Sequence, residues 1–211
     1  MAEDTREQIL RAAEVLFARQ GFGETTMRQI TESAAVNIAA VNYHFGSKEK
    51  LLVELLDRIV KPLNDERIEL LDEYEASGVP DATEVLTAFL LPDLRLLEAL
   101  RSRDESLPRF VSRMYSEASE MMSKIMGRQF AETQVRFYAA FRHALPALSH
   151  EEIAWRLHCV VGIVLYLFAS VHAPGVPPMV GGPIEADLER LLEVTVPLMT
   201  ADPKGVVLSR T

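Results

Sequence analysis

The sequence predicts an all-α fold of about nine helices, and three observations predict it. Apolar residues recur three and four apart along most of the chain, the spacing that lines one face of a helix. A Ser, Thr or Asp followed three residues later by Gln or Glu, the pattern of a helix start, stands at Thr5, Thr26, Asp81 and Ser149. No stretch alternates in the period of two that a strand requires. The ten glycines and eleven prolines collect at segment ends and between Pro174 and Pro183, which leaves most of the chain free for regular structure.

Each element follows from local signals. Thr5-x-x-Gln8 opens a first helix with Ile9, Ala12, Ala13, Leu16 and Phe17 on one face, and Gly21 can close it. Thr26-x-x-Gln29 opens a second helix of about two turns, with Met27, Ile30 and Ala34 together, ending before Val36. Asn37 suits the N-cap of a third, which must end near Gly46 because Ser47 and Glu49 resemble another N-terminus. Leu51, Leu52, Leu55, Leu56, Ile59, Val60, Leu63 and Leu70 support one long helix from Ser47 to about Tyr74, in which Pro62 is expected to leave a kink. Asp81 and Ser149 open two later helices, Pro108 suits a first helical position, and Pro183 lies near the start of the last. The implied domains are residues 1–46 and residues 47–211, the helix 47–74 linking them. Ala173 to Pro183 reads as a loop.

Composition narrows the function classes. Hydrophobic residues make up 48% and charged residues 25% of the 211 positions, enough for a real core. The acidic start lacks the apolar stretch of a signal peptide, and the longest apolar run, Cys159 to Ala169, is about half of the roughly 20 residues that span a bilayer. The expectation is a cytoplasmic protein with no membrane partner. The lone Cys159 excludes an intramolecular disulfide or a cysteine-cluster metal site. A net charge of −9 argues against a protein that coats nucleic acid. That charge is unevenly spread: residues 1–50 hold six Lys/Arg and seven Asp/Glu, residues 51–211 sixteen and twenty-four. Any face that meets phosphate is expected in the near-neutral first fifty residues.

Helix two, a short turn and helix three make a helix-turn-helix, whose second helix enters the DNA major groove. The stretch TREQILRAAEVLFARQGFGETTMRQITESAAVNIAAVNYHFGSKEKLL resembles the TetR family of bacterial transcriptional regulators. The resemblance is carried by Thr5-Arg6, Ile9-Leu10, Ala12-Ala13, Leu16-Phe17, Gly21-Phe22, Thr25-Thr26, Ile30, Val36, Tyr43-His44-Phe45, Ser47-Lys48 and Leu51. One departure is Ala35, where the family usually carries glycine. A left-handed backbone there costs alanine roughly 1 kcal/mol, and the turn is expected to survive.

Residue chemistry distributes the roles. Thr26 either caps helix two alone or also offers its hydroxyl to a phosphate. Arg28 and Lys48 either touch backbone phosphates or stand as solvated charge. Asn37 and Asn42 carry amides able to pair with adenine, Asn37 being equally suited to capping. Ala39 and Ala40 let the helix come close to the groove floor and touch a thymine methyl. The resemblance assigns Tyr43 and His44 to DNA, although periodicity alone leaves one of them free to pack inward. Phe17, Phe22, Ile30, Val36, Val41 and Phe45 form the small core.

The body suggests a homodimer. The segment from Trp155 to Val171 is apolar nearly all round and needs more than one covered side, and the last helix has an apolar stripe to join it. Leu165, Phe168, Leu188, Leu191 and Leu192 are the candidate interface, and the resemblance implies a four-helix dimer contact. Two-fold symmetry then pairs two recognition helices with a near-palindromic double-stranded operator. Phe89, Met114, Met121, Met122, Met126, Phe130, Phe137, Trp155 and His158 are either core or the wall of an effector cavity, which the resemblance implies. The stretch from Phe141 to Ala169 is similar to the subgroup that answers to fatty acids or acyl-CoA thioesters. The function so implied is a ligand-responsive regulator, a repressor released by a small apolar effector through a population shift, with the ligand as co-repressor as the variant.

Other classes fit less well. None of the five histidines has a Glu three residues before it, His150-Glu151-Glu152 lacks the second histidine of a zinc-protease helix, and no nucleophile elbow or P-loop occurs. No catalytic residue, metal or cofactor is expected. The alternative reading is an all-α interaction or architectural protein without a specific operator.

Overall fold

The computed structural model describes residues 2–101, 106–116, 120–170 and 179–202. They form nine helices and no strand, in agreement with the all-α expectation: α1 Ala2–Glu24, α2 Met27–Ser33, α3 Ile38–His44, α4 Lys48–Ser77, α5 Ala82–Arg101, α6 Ser106–Ser116, α7 Glu120–Ala144, α8 His150–Ser170 and α9 Ile184–Thr200. Three of the four start signals sit where helices begin. Thr26 caps α2 and Ser149 Oγ accepts from Glu152 N at 3.2 Å. Asp81 Oδ1 accepts from Glu84 N at 2.9 Å while Glu84 Oε2 accepts from Asp81 N at 2.9 Å.

Two element boundaries depart from expectation. Thr5 opens nothing, because α1 already begins at Ala2; Asp4 near its positive end favours that earlier turn. Gly21, with φ 84° and ψ 169°, breaks α1, and a short further turn reaches Glu24. At Pro62 α4 continues without a break to Ser77, so the missing N–H removes one rung and does not end the helix. The apolar run of α8 also extends further than its uninterrupted core suggested. By length and composition this helix could cross a membrane, although 39% of its most apolar window is buried inside the protein. Buried Ile153, Val160, Val164 and Leu167 on one side, and buried Arg156 donating to Met199 O at 2.8 Å, are features of a core helix. Most of the expected loop from Ala173 lies outside the described residues.

Packing gathers the described residues into two units. Unit one takes them from 1–62, 99–129 and 168–177, unit two from 63–98, 130–167 and 178–211. Unit one is thus larger than the first three helices. Phe110, Met114 and Met122 of α6 and α7 share one buried cluster with Ile9, Phe17, Ile30, Val41, Phe45 and Leu51. The Phe17 and Phe110 rings stack 6.2 Å apart, and Arg113 Nη1 donates to Arg19 O at 2.8 Å. Arg58 pairs with Glu7 at 2.6 Å, and Arg6 with Glu54, tying α1 to α4.

Unit two is organised around buried charge. Arg67 Nη2 lies 2.5 Å from Asp93 Oδ2, with both side chains buried, and Arg67 Nε donates to Phe89 O at 3.0 Å. The guanidinium stands 4.3 Å from the Phe89 ring, which meets Phe137 edge-on at 5.3 Å. Burial pushes the Asp93 carboxyl above its ordinary pKa, and the neighbouring Arg67 opposes that shift. At the start of α9, Asp187 Oδ2 accepts from Gly181 N at 2.7 Å and Gly182 N at 3.1 Å, fixing the entry of a helix whose N-cap, Pro183, makes no side-chain bond.

Candidate nucleic-acid interface

The corner between α1 and α2 is held by side chains spent on backbone groups. Thr25, fully buried, donates its hydroxyl to Gly21 O at 2.6 Å. Thr26 closes a capping box: its Oγ1 accepts from Gln29 N at 3.2 Å, and Gln29 Oε1 accepts from Thr26 N at 2.8 Å. Gln20 Nε2 donates to the same Gln29 oxygen at 3.1 Å. Lys48, the first residue of α4, reaches back so that its ammonium donates to Phe22 O at 2.8 Å and Thr25 O at 2.6 Å, and stands 4.2 Å from the Phe22 ring.

The turn into α3 is equally tight. Ala34 N, Ala35 N and Val36 N donate back to Ile30 O, Glu32 O and Thr31 O at 2.9, 3.3 and 3.0 Å. Ala35 takes φ 53°, so the position where the resemblance expects glycine does adopt the left-handed backbone that alanine resists. Asn37 caps α3, its Oδ1 accepting from Ala40 N at 2.8 Å. At the other end Ser47 Oγ accepts from Lys50 N at 3.2 Å to start α4. The Glu49 carboxylate is held below its ordinary pKa first by its own backbone N–H and then by Ser47.

Only Val41 of α3 is buried. Asn37, Ala39, Asn42 and Tyr43 are exposed, Tyr43 at 86%, while Ala40 and His44 are half-buried. The His44 ring meets Tyr43 edge-on at 5.2 Å. Thr26 and Arg28 are exposed on the neighbouring helix, Arg28 pairing with Glu32 at 2.8 Å. Lys48 is half-buried and turned to carbonyls. Ile38, 48% exposed, is a member of this surface that sequence reasoning missed. Its spacing from Val41 and Phe45 mimics a core stripe; its place in the first turn, next to the cap, is the signal that could have found it.

The other candidate residues fall in both units. In unit one Met114 and Met122 are core, with Met121 and Met126 packed against it. Met121 also helps line a groove of about 630 Å³ between the first turns of α4 and α7, with Val53 and Ile125. In unit two Phe89 and Phe137 are buried and Phe130 half-buried. Trp155 is 61% exposed, and the exposed His158 has Nδ1 2.6 Å from Ala154 O. Of the residues expected at a dimer contact, Phe168 and Leu191 are buried and Leu165, Leu188 and Leu192 half-buried. Trp155 and Tyr166 on α8 and Val194 on α9 are large apolar side chains left open.

A short capped helix, presented by a second helix across a three-bond turn and almost free of core duty, is the build of a helix-turn-helix DNA-binding protein. Residues 9–55 match the profile of bacterial regulatory proteins of the tetR family, and residues 87–201 match the tetracyclin repressor-like C-terminal domain. The chain belongs to the TetR family of bacterial transcriptional regulators.

Among its relatives is the HTH-type transcriptional repressor NicS of Pseudomonas putida, 37% identical over 89 residues that cover 42% of this chain and 41% of NicS. The chain thus aligns with less than half the length of that curated relative. The SmeT–triclosan complex superposes with a TM-score of 0.61 at 22% identity, covering 91% of this chain and 90% of that one. The fatty acid degradation regulator FadR of Bacillus halodurans superposes at 0.63 and 14% identity, covering 95% and 99%. At such identities the two structures share the fold.

Proposed function

We propose that this protein is a ligand-responsive transcriptional repressor that binds a near-palindromic operator as a homodimer, reading each half-site with α3 in the major groove. The observation that carries the reading is the outer face of α3, where Ala39, Asn42 and Tyr43 are exposed on a helix with a single buried residue. Amide and hydroxyl groups there suit base edges and phosphates, and the small alanine allows close approach. Thr26, Arg28, Asn37, Ala40 and His44 complete the proposed contact region, and Lys48 supports it from within by clamping Phe22 O and Thr25 O. Six Lys/Arg against seven Asp/Glu in residues 1–50 imply weak non-specific binding and a need for two half-sites.

Family membership supports the same role, as does the name of NicS, a transcriptional repressor. For the effector, the SmeT structure is a complex with triclosan and FadR is named for fatty acid degradation. We place a small apolar molecule, such as a fatty acid or acyl-CoA, in the effector role. It acts by favouring a conformation with low operator affinity. Exposed Trp155, Tyr166 and Val194 support a subunit contact through α8 and α9. The cytoplasm is the proposed location.

Selection of bound duplexes from a random pool tests the reading. Tyr43→Ala or Asn42→Ala is expected to weaken binding to the enriched sequence at least tenfold, on the order of one lost bidentate base contact, with the melting temperature moved by only about 2 °C. An unchanged footprint would remove α3 from the interface. Leu165→Glu or Leu192→Glu is expected to halve the sedimentation mass, and displacement by a panel of acyl-CoAs, fatty acids and unrelated aromatics identifies the effector class.

A further inference from the structure

Four side chains make the open face of α3. Ile38 and Asn42 stand one turn apart, as do Ala39 and Tyr43, so they form two neighbouring ridges. Ile38 is 48% exposed, whereas Val41 is fully buried and Phe45 only 5% exposed. The core therefore does not use Ile38. Among these four side chains polar chemistry is limited to the Asn42 amide and the Tyr43 hydroxyl, while the neighbouring Asn37 spends its carbonyl oxygen on the cap, accepting from Ala40 N at 2.8 Å. No Lys, Arg, Asp or Glu lies in α3.

A surface of that composition suits one feature of the major groove. Thymine presents a C5 methyl group there, the apolar mark among donors and acceptors that otherwise distinguish the bases. We infer that Ile38, with Ala39 beside it, reads thymine through this methyl, so that part of operator specificity is carried by apolar contact. The inference rests on α3 entering the major groove, and the contact is continuous with the proposed contributions of Asn42 and Tyr43. Arrangement in two ridges lets the methyl contact and the amide contact fall on neighbouring bases.

The experiment uses the full-length protein and the duplex enriched from the random pool. Each thymine is replaced in turn by uracil, which keeps every hydrogen-bonding edge and lacks only the methyl, and affinity is read by fluorescence anisotropy at fixed salt. One or two positions per half-site are expected to weaken binding about fourfold, the scale of burying one such carbon. Replacing both half-sites together multiplies the loss. Ile38→Ala is expected to bind thymine DNA more weakly by a similar factor and to show no further loss with uracil at that position; Ile38→Val falls between. Circular dichroism melting of both variants stays at the parent value, because the side chain is outside the core. Uracil tolerated at every position, or a full uracil penalty retained by Ile38→Ala, would overturn the inference while leaving the operator reading intact. A pool that enriches no sequence would overturn both.

Discussion

The two packing units use charged side chains in opposite ways. In unit two Arg67, Asp93 and Arg156 are buried, and their bonds hold the interior together. In unit one the charges lie at seams between helices: Lys48 clamps two carbonyls, and Arg58 reaches Glu7 across α4 and α1. The outer face of α3 carries no such group. A buried pair fixes geometry at a desolvation cost, whereas a seam contact fixes geometry and leaves the adjoining surface plain. The proposed reading face is thus made by directing charge elsewhere.

The contrast can be broken most sharply in unit two. Asp93→Ala leaves the Arg67 guanidinium buried without its partner and is expected to cost about 3–5 kcal/mol, a fall in thermal midpoint of about 10 °C. The double variant Arg67→Met with Asp93→Leu is expected to regain most of that loss. A single variant as stable as the parent would deny the pair its role.

Removing the clamp in unit one has a smaller effect. Lys48→Met gives up two charge-assisted hydrogen bonds and is expected to cost about 2 kcal/mol in urea unfolding. Operator affinity falls with it, while the slope of affinity against salt stays unchanged. A slope lower by about 1 would assign the ammonium to a phosphate.

Two smaller tests sharpen the picture of unit one. Ala35→Gly relieves a left-handed alanine and is expected to raise stability by about 1 kcal/mol, seen as a higher urea midpoint. Arg58 holds the Glu7 carboxyl below its ordinary pKa of 4.5, so the stabilisation is present above that value and is lost as pH falls through the lower, folded value. Parent and Glu7→Gln are therefore expected to differ slightly near pH 6 and to converge under acid; curves parallel throughout would exclude the linkage.

Much of the fold was legible because its signals are local. Thr26 with Gln29, Asp81 with Glu84, and Asn37 ahead of α3 state their helix starts within four residues. The position of the strained turn at Ala35 could be read from the resemblance. What escaped depends on distant partners. Nothing near Phe110 announces that it stacks on Phe17, which is why α6 was not expected with the first helices. Lys48 reads as a phosphate contact or a solvated charge until Phe22 and Thr25, more than twenty positions away, come within reach. Ile38 kept the period of a core stripe that the first turn of a short helix does not bury.

The length of α3 has a practical consequence. Seven residues are below the roughly 12–15 at which a helix holds its shape alone in water. A synthetic peptide copying Asn37 to Phe45 would be a coil, with its reading side chains unaligned. Grafting this specificity onto another scaffold therefore requires transplanting the floor beneath Val41 and Phe45 as well as the visible letters.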